Sequence, residues 1–188
     1  MSVPTTEVTG YPSDIPGLLT FDVTRVGDDR GWFQEKFHKA KLVAAGMPED
    51  FAVVQNSIAF NKKGVTRGLH AEPWDKYVSI VNGEAFVAYV DLRKGESFGK
   101  VVTLTLTPDK AVYVPAGVAN SYQALTDDLY YIYSVNQHWT PDAYERYSFV
   151  NLGDPELNIQ WPIPLSEAIL SDKDRNHPVL KDAKPLEI

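Results

Sequence analysis

The stretch YVSIVNGEAFVAYVDL, Tyr77–Leu92, decides the fold class of this 188-residue chain. Two runs rich in β-branched and aromatic residues flank the pair Asn82-Gly83, and such residues suit the pleated surface of a strand. Asn-Gly between two such runs is a strong hairpin signal, because both residues tolerate positive φ. The stretch therefore predicts two strands, Lys76–Val81 and Ala85–Leu92, joined as a hairpin.

Similar short runs recur on both sides of this stretch, separated by turn-forming residues. The further predicted strands are Leu18–Val26, Trp32–Phe37, Phe51–Phe60, Val101–Leu106, Ala111–Val114 and Tyr130–Val135. Short helices are predicted at Lys39–Gly46 and near Pro164–Ile169, and residues 1–16 are predicted as a loosely held N-terminal arm. Strands at this spacing indicate one all-β domain over residues 1–188, a jelly roll or related barrel able to enclose a small ligand.

The composition excludes several classes of function. The formal net charge is −7, and the absence of a Lys/Arg cluster argues against a nucleic-acid partner. The absence of cysteine excludes disulfides and thiol catalysis, and it agrees with a reducing cytoplasm. The N-terminus has no apolar core of a signal peptide, and no apolar run approaches the roughly 20 residues that cross a bilayer. We expect a soluble, cytoplasmic protein without a membrane partner.

The first candidate for chemistry is RGLHAEPWDKY, which spans Arg67–Tyr77 and contains one of only four histidines. A lone histidine is often structural, but cations near His70 would keep its imidazole neutral and able to act as a base. A desolvated ammonium, here Lys76, could stabilise a developing oxyanion. A metal site would need a closely spaced histidine pair, and Ala71 and Glu72 follow His70 instead. The remaining histidines, His38, His138 and His177, are scattered in sequence, so no metal site is predicted.

The second candidate is the aromatic strand LYYIYSVNQHW, which spans Leu129–Trp139. By strand alternation Tyr131 and Tyr133 share one face, and Tyr130 and Ile132 share the other. These rings could simply pack in the core, or a phenol in an electropositive cavity could donate a proton as a general acid. The chain has no G-x-S-x-G elbow, no G-x-G-x-x-G loop and no Walker-type loop, so neither a serine hydrolase nor a phosphate-loop nucleotide site is indicated.

Eight short motifs together resemble the dTDP-4-dehydrorhamnose 3,5-epimerase family, in the order in which that family carries them. They are DDRGWFQEKF (28–37), VVQNS (53–57), GVTRGLH (64–70), VDLRKGESFG (90–99), VYVPAGVAN (112–120), YIYSVNQHW (131–139), DPELNIQWP (154–162) and LSDKD (170–174). Each is weak alone, whereas eight in order are specific. The resemblance implies a cupin jelly-roll barrel with short peripheral helices, a homodimer, and no metal or other cofactor.

The resemblance also implies roles for individual residues. The general base would be His70, oriented by Asp174, with Lys76 supporting an enolate and Tyr133 acting as the acid on the opposite face of the sugar. The substrate would be a dTDP-4-keto-6-deoxyhexose, whose 4-keto group acidifies the hydrogens on C3 and C5. The substrate-binding positions implied by the family are Arg30, Glu35, Gln55, Ser57, Arg67, Asn120, Trp139 and Glu145. Without the resemblance, Arg30 and Arg67 could equally form surface ion pairs.

Three departures from the family pattern leave alternatives open. Asn120 replaces a histidine of the sugar site, Ser57 replaces an asparagine, and Glu145 lies in a stretched version of its motif. All three affect substrate contacts and leave the base, lysine and acid in place. The main prediction is epimerisation at C3 and C5 of dTDP-4-dehydro-6-deoxy-D-glucose to dTDP-4-dehydro-L-rhamnose. The alternatives are a single-site epimerase of a related sugar, a non-catalytic sugar-nucleotide-binding cupin and, more distantly, a metal-dependent cupin enzyme.

Overall fold

The computed structural model describes residues 6–188, and within them the chain forms two facing antiparallel sheets and a small hairpin. The strands of the first sheet are β1 Val8–Pro12, β2 Leu19–Val23, β5 Gln55–Asn61, β7 Lys76–Ile80, β10 Lys110–Val114 and β12 Leu129–Val135. Those of the second are β6 Thr66–Ala71, β8 Ala85–Asp91, β9 Val101–Leu106, β11 Val118–Ala124 and β13 Ser148–Phe149. The hairpin joins β3 Val26–Asp28 and β4 Gly31–Phe33.

The strand orders are β1-β2-β10-β7-β12-β5 in the first sheet and β13-β6-β11-β8-β9 in the second. Helices are short and peripheral: α1 spans Lys39–Ala44, α2 spans Asp172–Arg175, and 3-10 helices span Pro141–Arg146 and Leu180–Asp182. The predicted all-β jelly-roll architecture with short peripheral helices is confirmed. No helix among residues 6–188 is both long and apolar enough to cross a lipid bilayer.

The Asn82-Gly83 turn does not close a hairpin, so that prediction is wrong. β7 pairs with β10 and β12 of the first sheet, whereas β8 pairs with β9 and β11 of the second. The turn, in which Gly83 has a φ of 83°, carries the chain from one sheet to the other. All five residues of β7 and six of the seven in β8 are buried, because both strands lie in the interior of their sheets. Tyr77–Leu92 therefore connects the two sheets, with one strand in each of them.

The apolar core divides at β8. Its side chains Ala85, Val87 and Tyr89 join the cluster enclosed between the two sheets. Ala88 and Val90 join a second cluster on the other face, which the C-terminal part of the chain covers. Strand alternation produces this division. Because β8 buries apolar side chains on both of its faces, it contributes strongly to the stability of the second sheet.

Four predicted elements are corrected by the structure. The segment predicted as a loose arm contains β1, which pairs with β2 from Val8 to Pro12; residues 1–5 lie outside the described residues. The strand predicted at Trp32–Phe37 ends at Phe33, and that predicted from Phe51 starts at Gln55. The helix predicted near Pro164 is a single turn, in which the Ala168 N–H donates to the Pro164 carbonyl at 3.1 Å.

Strands β6 and β11 have no counterpart among the predicted strands. Their sequences, TRGLHA and VANSYQA, carry polar residues and a glycine where a half-buried strand normally alternates apolar and polar residues. Gly68 has a φ of 122°, and a Cβ there would lie 2.6 Å from the Ser121 Cβ. The pairing of the two strands shifts register between Asn120 and Tyr122. Such irregularities re-aim side chains, and these strands form one wall of the site described below.

Candidate active site

A cavity of about 550 Å³ opens between the two sheets and is lined mainly by polar and aromatic side chains. Its volume is in the usual range for small-molecule sites. The second sheet contributes β6 and β11, the first contributes β5, β7 and β12, and residues of the Pro141–Arg146 helix border it. The predicted site residues that line it are Gln55, Ser57, Arg67, His70, Lys76, Asn120, Tyr133 and Trp139.

His70 lies on β6, and its Nε2 is 2.7 Å from Asp174 Oδ1 on helix α2. Ser171 caps this helix: its Oγ donates to Asp174 Oδ2 at 2.9 Å and accepts from the Asp174 N–H at 3.1 Å. Burial alone would raise the Asp174 pKa, but hydrogen bonds from His177, His70 and Ser171 outweigh it and hold the pKa well below its usual range. Asp174 is therefore an ionised carboxylate, which can only accept a hydrogen bond. The Nε2 of His70 must then carry the proton in this bond, and Nδ1 remains as the nitrogen that can act as a base.

His177 is distant from His70 in sequence but lies beside it in the fold. The Nε2 of His177 is 3.3 Å from the same Asp174 Oδ1, and its side chain is only 8% exposed. The ligand-type atoms of His70, Asp174 and His177 all lie within 4.8 Å of one another. Two imidazoles and a carboxylate suit a transition metal, but both Nε2 atoms already share one carboxylate oxygen, so a metal would have to displace two hydrogen bonds.

Lys76 opens β7 and forms a buried ion pair with Glu72. Both side chains are 9% exposed. The other oxygen of Glu72 accepts from Asn120 Nδ2 at 3.2 Å, and the same amide nitrogen donates to the His70 carbonyl at 2.9 Å. An ammonium has three N–H donors, so Lys76 keeps donors for a ligand in addition to the one that Glu72 uses.

Tyr133 faces the cavity from β12, on the sheet opposite His70. The Lys76 Nζ lies 5.8 Å from the centroid of its ring. Tyr131 points the same way and stacks on Tyr122 with centroids 4.0 Å apart, whereas Tyr130 is exposed on the other face. The predicted division of this strand is thus confirmed. Burial raises the pKa of Tyr122 to about 12, so its phenol stays protonated at neutral pH.

Polar side chains at one side of the cavity are held by one another. The Gln55 side chain donates to Ser57 Oγ at 3.2 Å and accepts from the backbone N–H of Trp139 at 2.9 Å. The indole of Trp139 is half exposed. Arg67 Nε donates to Asn61 Oδ1 at 3.3 Å, and this oxygen also accepts from Tyr122. An exposed indole and a guanidinium suit a planar base and a phosphate respectively.

Three predicted binding residues are not brought to the cavity of this chain. Arg30 lies at the tip of the β3–β4 hairpin, where its Nε bonds to Asp28 at 3.1 Å, and its side chain is 89% exposed. Glu35 follows β4 and pairs with Lys41. Glu145 lies on the exposed side of the Pro141–Arg146 helix, since its neighbours Tyr144 and Tyr147 are the ones that turn inward.

Sequence reasoning missed Glu72, Tyr122 and His177 as residues of this site. Periodicity contains a signal for two of them. Glu72 is two residues beyond His70, so an extended chain puts both side chains on one face. His177 is three residues beyond Asp174, a spacing that brings side chains together on a helical turn. Tyr122 becomes recognisable only when β11 is identified as a strand.

Comparison with known proteins gives consistent matches over nearly the whole chain. Residues 12–182 match the family model described as dTDP-4-dehydrorhamnose 3,5-epimerase. A Streptococcus pyogenes protein named "Protein RmlC homolog" is 48% identical, over 92% of this chain and 89% of its own. The dTDP-4-dehydrorhamnose 3,5-epimerase of Pseudomonas aeruginosa is 35% identical, over 90% of this chain and 94% of its own.

Two further matches bear on the ligand and the reaction. The structure of RmlC from Streptococcus suis in complex with dTDP-D-xylose has a TM-score of 0.91 and 46% identity, covering 96% of this chain and 95% of that one. A dTDP-4-dehydro-6-deoxyglucose 3-epimerase from a Streptomyces species is 33% identical, over 94% of this chain and 91% of its own. The extent of the family match and the relatives above 30% identity lead to one conclusion: the chain belongs to the dTDP-4-dehydrorhamnose 3,5-epimerase family.

Proposed function

We propose that this protein epimerises C3 and C5 of dTDP-4-dehydro-6-deoxy-D-glucose, giving dTDP-4-dehydro-L-rhamnose. The observation that carries the proposal is one cavity in which His70, bonded to Asp174, comes from one sheet, and Lys76 and Tyr133 come from the other. Inversion of a carbon by proton transfer requires a base and an acid on opposite sides of the sugar ring. Two facing sheets are an arrangement that can supply them.

His70 removes the proton from the carbon next to the 4-keto group. Its Nδ1 is available as a base because Asp174 engages Nε2, and the carboxylate stabilises the imidazolium that forms. The electron pair left on carbon moves onto the keto oxygen and makes an enolate, which the Lys76 ammonium stabilises. Tyr133 then donates its phenolic proton to the opposite face of the same carbon, and the enolate returns to the ketone. His70 then releases its proton to solvent and the Tyr133 phenolate takes one up, and the same steps at the second carbon give the double epimer.

The nucleotide end of the substrate is assigned to Trp139, Arg67, Gln55 and Ser57. Trp139 stacks on the base and Arg67 pairs with the diphosphate, since these groups match planar and bidentate partners respectively. Asn120 is assigned to the sugar. It uses Nδ2 on His70 and Glu72, which leaves Oδ1 to accept from a sugar hydroxyl.

The test is incubation with dTDP-4-dehydro-6-deoxy-D-glucose in heavy water, followed by product analysis. Deuterium at both C3 and C5 with inversion at both supports the proposal. Deuterium at one carbon only would support the single-site alternative, which the 33% identical 3-epimerase and the changes at Ser57 and Asn120 favour. Tight binding of dTDP without any deuterium would instead identify a non-catalytic binding protein.

We further propose that the protein is a homodimer. The outward face of the edge strand β5 and of its neighbour β12 exposes Ile58, Phe60 and Tyr130, and contiguous exposed apolar surface marks an interaction site. Arg30 and Glu35 lie outside the cavity of their own chain, so a role in nucleotide binding requires them to reach the cavity of a second copy. Light scattering coupled to gel filtration measures the mass directly, and a monomer at micromolar concentration contradicts the proposal.

The compartment we propose is the cytoplasm, in which substrates linked to a nucleoside diphosphate are made and used. The absence of cysteine in the sequence supports this assignment, because it leaves the fold independent of disulfides. Cell fractionation with an antibody to the chain tests it, and recovery in the membrane or secreted fraction contradicts it.

A further inference from the structure

Asp174 receives more hydrogen bonds than the orientation of one histidine requires. Its Oδ1 lies 2.7 Å from His70 Nε2 and 3.3 Å from His177 Nε2, while Oδ2 accepts from Ser171. A carboxylate oxygen has two lone pairs, so two imidazole N–H groups saturate Oδ1. The mechanism above uses His70 and Asp174 and gives His177 no part.

His177 is held in this place by packing as well as by its hydrogen bond. Its ring stacks on Phe149 with centroids 4.6 Å apart and planes at 15°. Phe149 also makes an edge contact with the His70 ring, 5.5 Å away at 78°. The two imidazoles themselves meet at 5.3 Å and 88°. Phe149 and His177 therefore both pack against the His70 ring.

The backbone near His177 is pinned independently of its ring. Asn151 Nδ2 donates to the His177 carbonyl at 3.0 Å and to the Arg175 carbonyl at 3.1 Å, and the Asn151 N–H donates to the Pro178 carbonyl at 2.7 Å. A change of the ring alone therefore leaves the path of the chain in place. This separates a role of the imidazole from a role in folding.

We propose that His177 is a positioning residue for the base: its Nε2–H occupies the second lone pair of Asp174 Oδ1 and thereby fixes the carboxylate that orients His70. Without this donor, Oδ1 is free to take a water molecule or to rotate away, and the His70 ring loses its defined angle to the cavity. Because His177 is not among the residues that line the cavity, its removal should affect the proton-transfer steps and leave substrate binding unchanged. This inference rests on the function proposed above.

The test compares His177→Gln with His177→Met. The two new side chains have similar length, and Gln can offer an N–H about where Nε2 lies, whereas Met offers none. We expect His177→Met to lower kcat about tenfold, the effect of losing a hydrogen bond to a charged group, with KM changed by less than about twofold. We expect His177→Gln to stay within about threefold of the native enzyme. Deuterium wash-in at C3 and at C5 should fall together in the Met variant.

Two kinetic results overturn the inference. Equal losses in both variants mean that the ring acts by packing rather than as a donor, and unchanged kcat in both means that it does not act on the base. Thermal unfolding of each variant, together with calorimetric binding of dTDP, identifies a variant that has not folded.

A measurement on the native protein needs no variant at all. Nitrogen-15 NMR of the imidazoles reports which ring nitrogens carry protons, and we expect Nε2 of both His70 and His177 to be protonated at neutral pH. An unprotonated Nε2 on His177 overturns the inference whatever the activity. If the native protein exchanges no deuterium into the substrate, the proposed function fails by itself, and the NMR result still decides whether His177 donates to Asp174.

Discussion

Strands β5 and β12 pair to form a two-stranded ribbon, and its two faces differ in the kind of side chain that they expose. The inward face presents Gln55, Ser57 and Tyr133 to the cavity. The outward face presents Ile58, Phe60 and Tyr130, with exposed fractions of 61%, 49% and 42%. Along β5 this reverses the usual arrangement in a sandwich, in which apolar side chains lie inside and polar ones in water.

This inversion indicates that both faces are shaped by what they bind. Polar side chains on an inner face are costly unless a ligand or a network of partners satisfies them. Apolar side chains on an outer edge strand expose the chain to aggregation unless another surface covers them. The inward face therefore suits a small polar molecule, and the outward face suits the dimer contact proposed above. The changes below would break or sharpen this distinction.

His70→Ala on the cavity wall should have the largest effect, because it removes the only proposed proton acceptor. We expect a loss of about 10³-fold or more in kcat and of deuterium wash-in at both carbons. Wash-in is measured by NMR of the recovered sugar nucleotide. Wash-in that survives at one carbon would mean that a second base serves it.

Tyr133→Phe should separate the two halves of the reaction. The base remains, so deuterium still exchanges at the abstracted position, while inversion slows by about 10²-fold because the acid is lost. The ratio of exchanged starting material to inverted product measures this. Tyr130→Phe, on the outward face of the same strand, is the matched control and should leave the ratio unchanged. Full turnover in Tyr133→Phe would contradict the assignment of the acid.

Glu72→Gln tests whether the inner face depends on paired charges. The variant leaves the buried Lys76 ammonium without its carboxylate, and we expect the free energy of unfolding to fall by about 3 kcal/mol or more. Urea denaturation measures the loss. The double variant Glu72→Gln/Lys76→Met should be less destabilised than the sum of the single variants, because it removes the unpaired charge. Simple additivity would mean that the pair does not couple.

Phe60→Asp tests the outward face. A charge in the centre of a buried apolar contact should weaken the proposed dimer about thirtyfold, the effect of losing one strong interface residue. Analytical ultracentrifugation gives the dissociation constant. Ile188→Asp, at a 71% exposed apolar residue far from the ribbon in sequence, is the control and should not change it. An unchanged dissociation constant in Phe60→Asp would remove the outward face from the interface.

Removal of metals should have the smallest effect. Exhaustive dialysis against EDTA is expected to leave kcat within about twofold of its starting value. The reason is that both Nε2 atoms near Asp174 already serve as hydrogen-bond donors to it. Lost activity that returns with added Zn²⁺ would show that His70, Asp174 and His177 bind a metal instead.

Sequence patterns predicted the strands best where neither face of the strand lines the cavity. Val101–Leu106 was predicted with the bounds that the structure has, and the Lys39 helix start was also correct. Strands β6 and β11 escaped because the side chains that face the cavity are polar and interrupt the apolar alternation. The Asn82-Gly83 turn misled because local turn chemistry does not reveal whether the two strands pair with each other or enter opposite sheets.

Within the site, the resemblance to a family found what spacing could not. Asp174 is 104 residues from His70, and no local rule connects them. His177 was set aside because only sequence proximity to another histidine was sought, although its distance from Asp174 in sequence is one helical turn. Arg30 and Glu35 show the opposite limit, since a motif position did not reveal that the fold leaves these side chains outside the cavity, paired with Asp28 and Lys41.

The carboxylate proposed to support the base, Asp174, follows every strand of both sheets along the chain. During synthesis both sheets can be complete before Asp174 has left the ribosome, so a nascent chain has the cavity without a supported base. Catalytic competence would thus be acquired after the two sheets have formed. For the same reason, a proteolytic cut just before Ser171 would silence the protein while sparing the strands of both sheets.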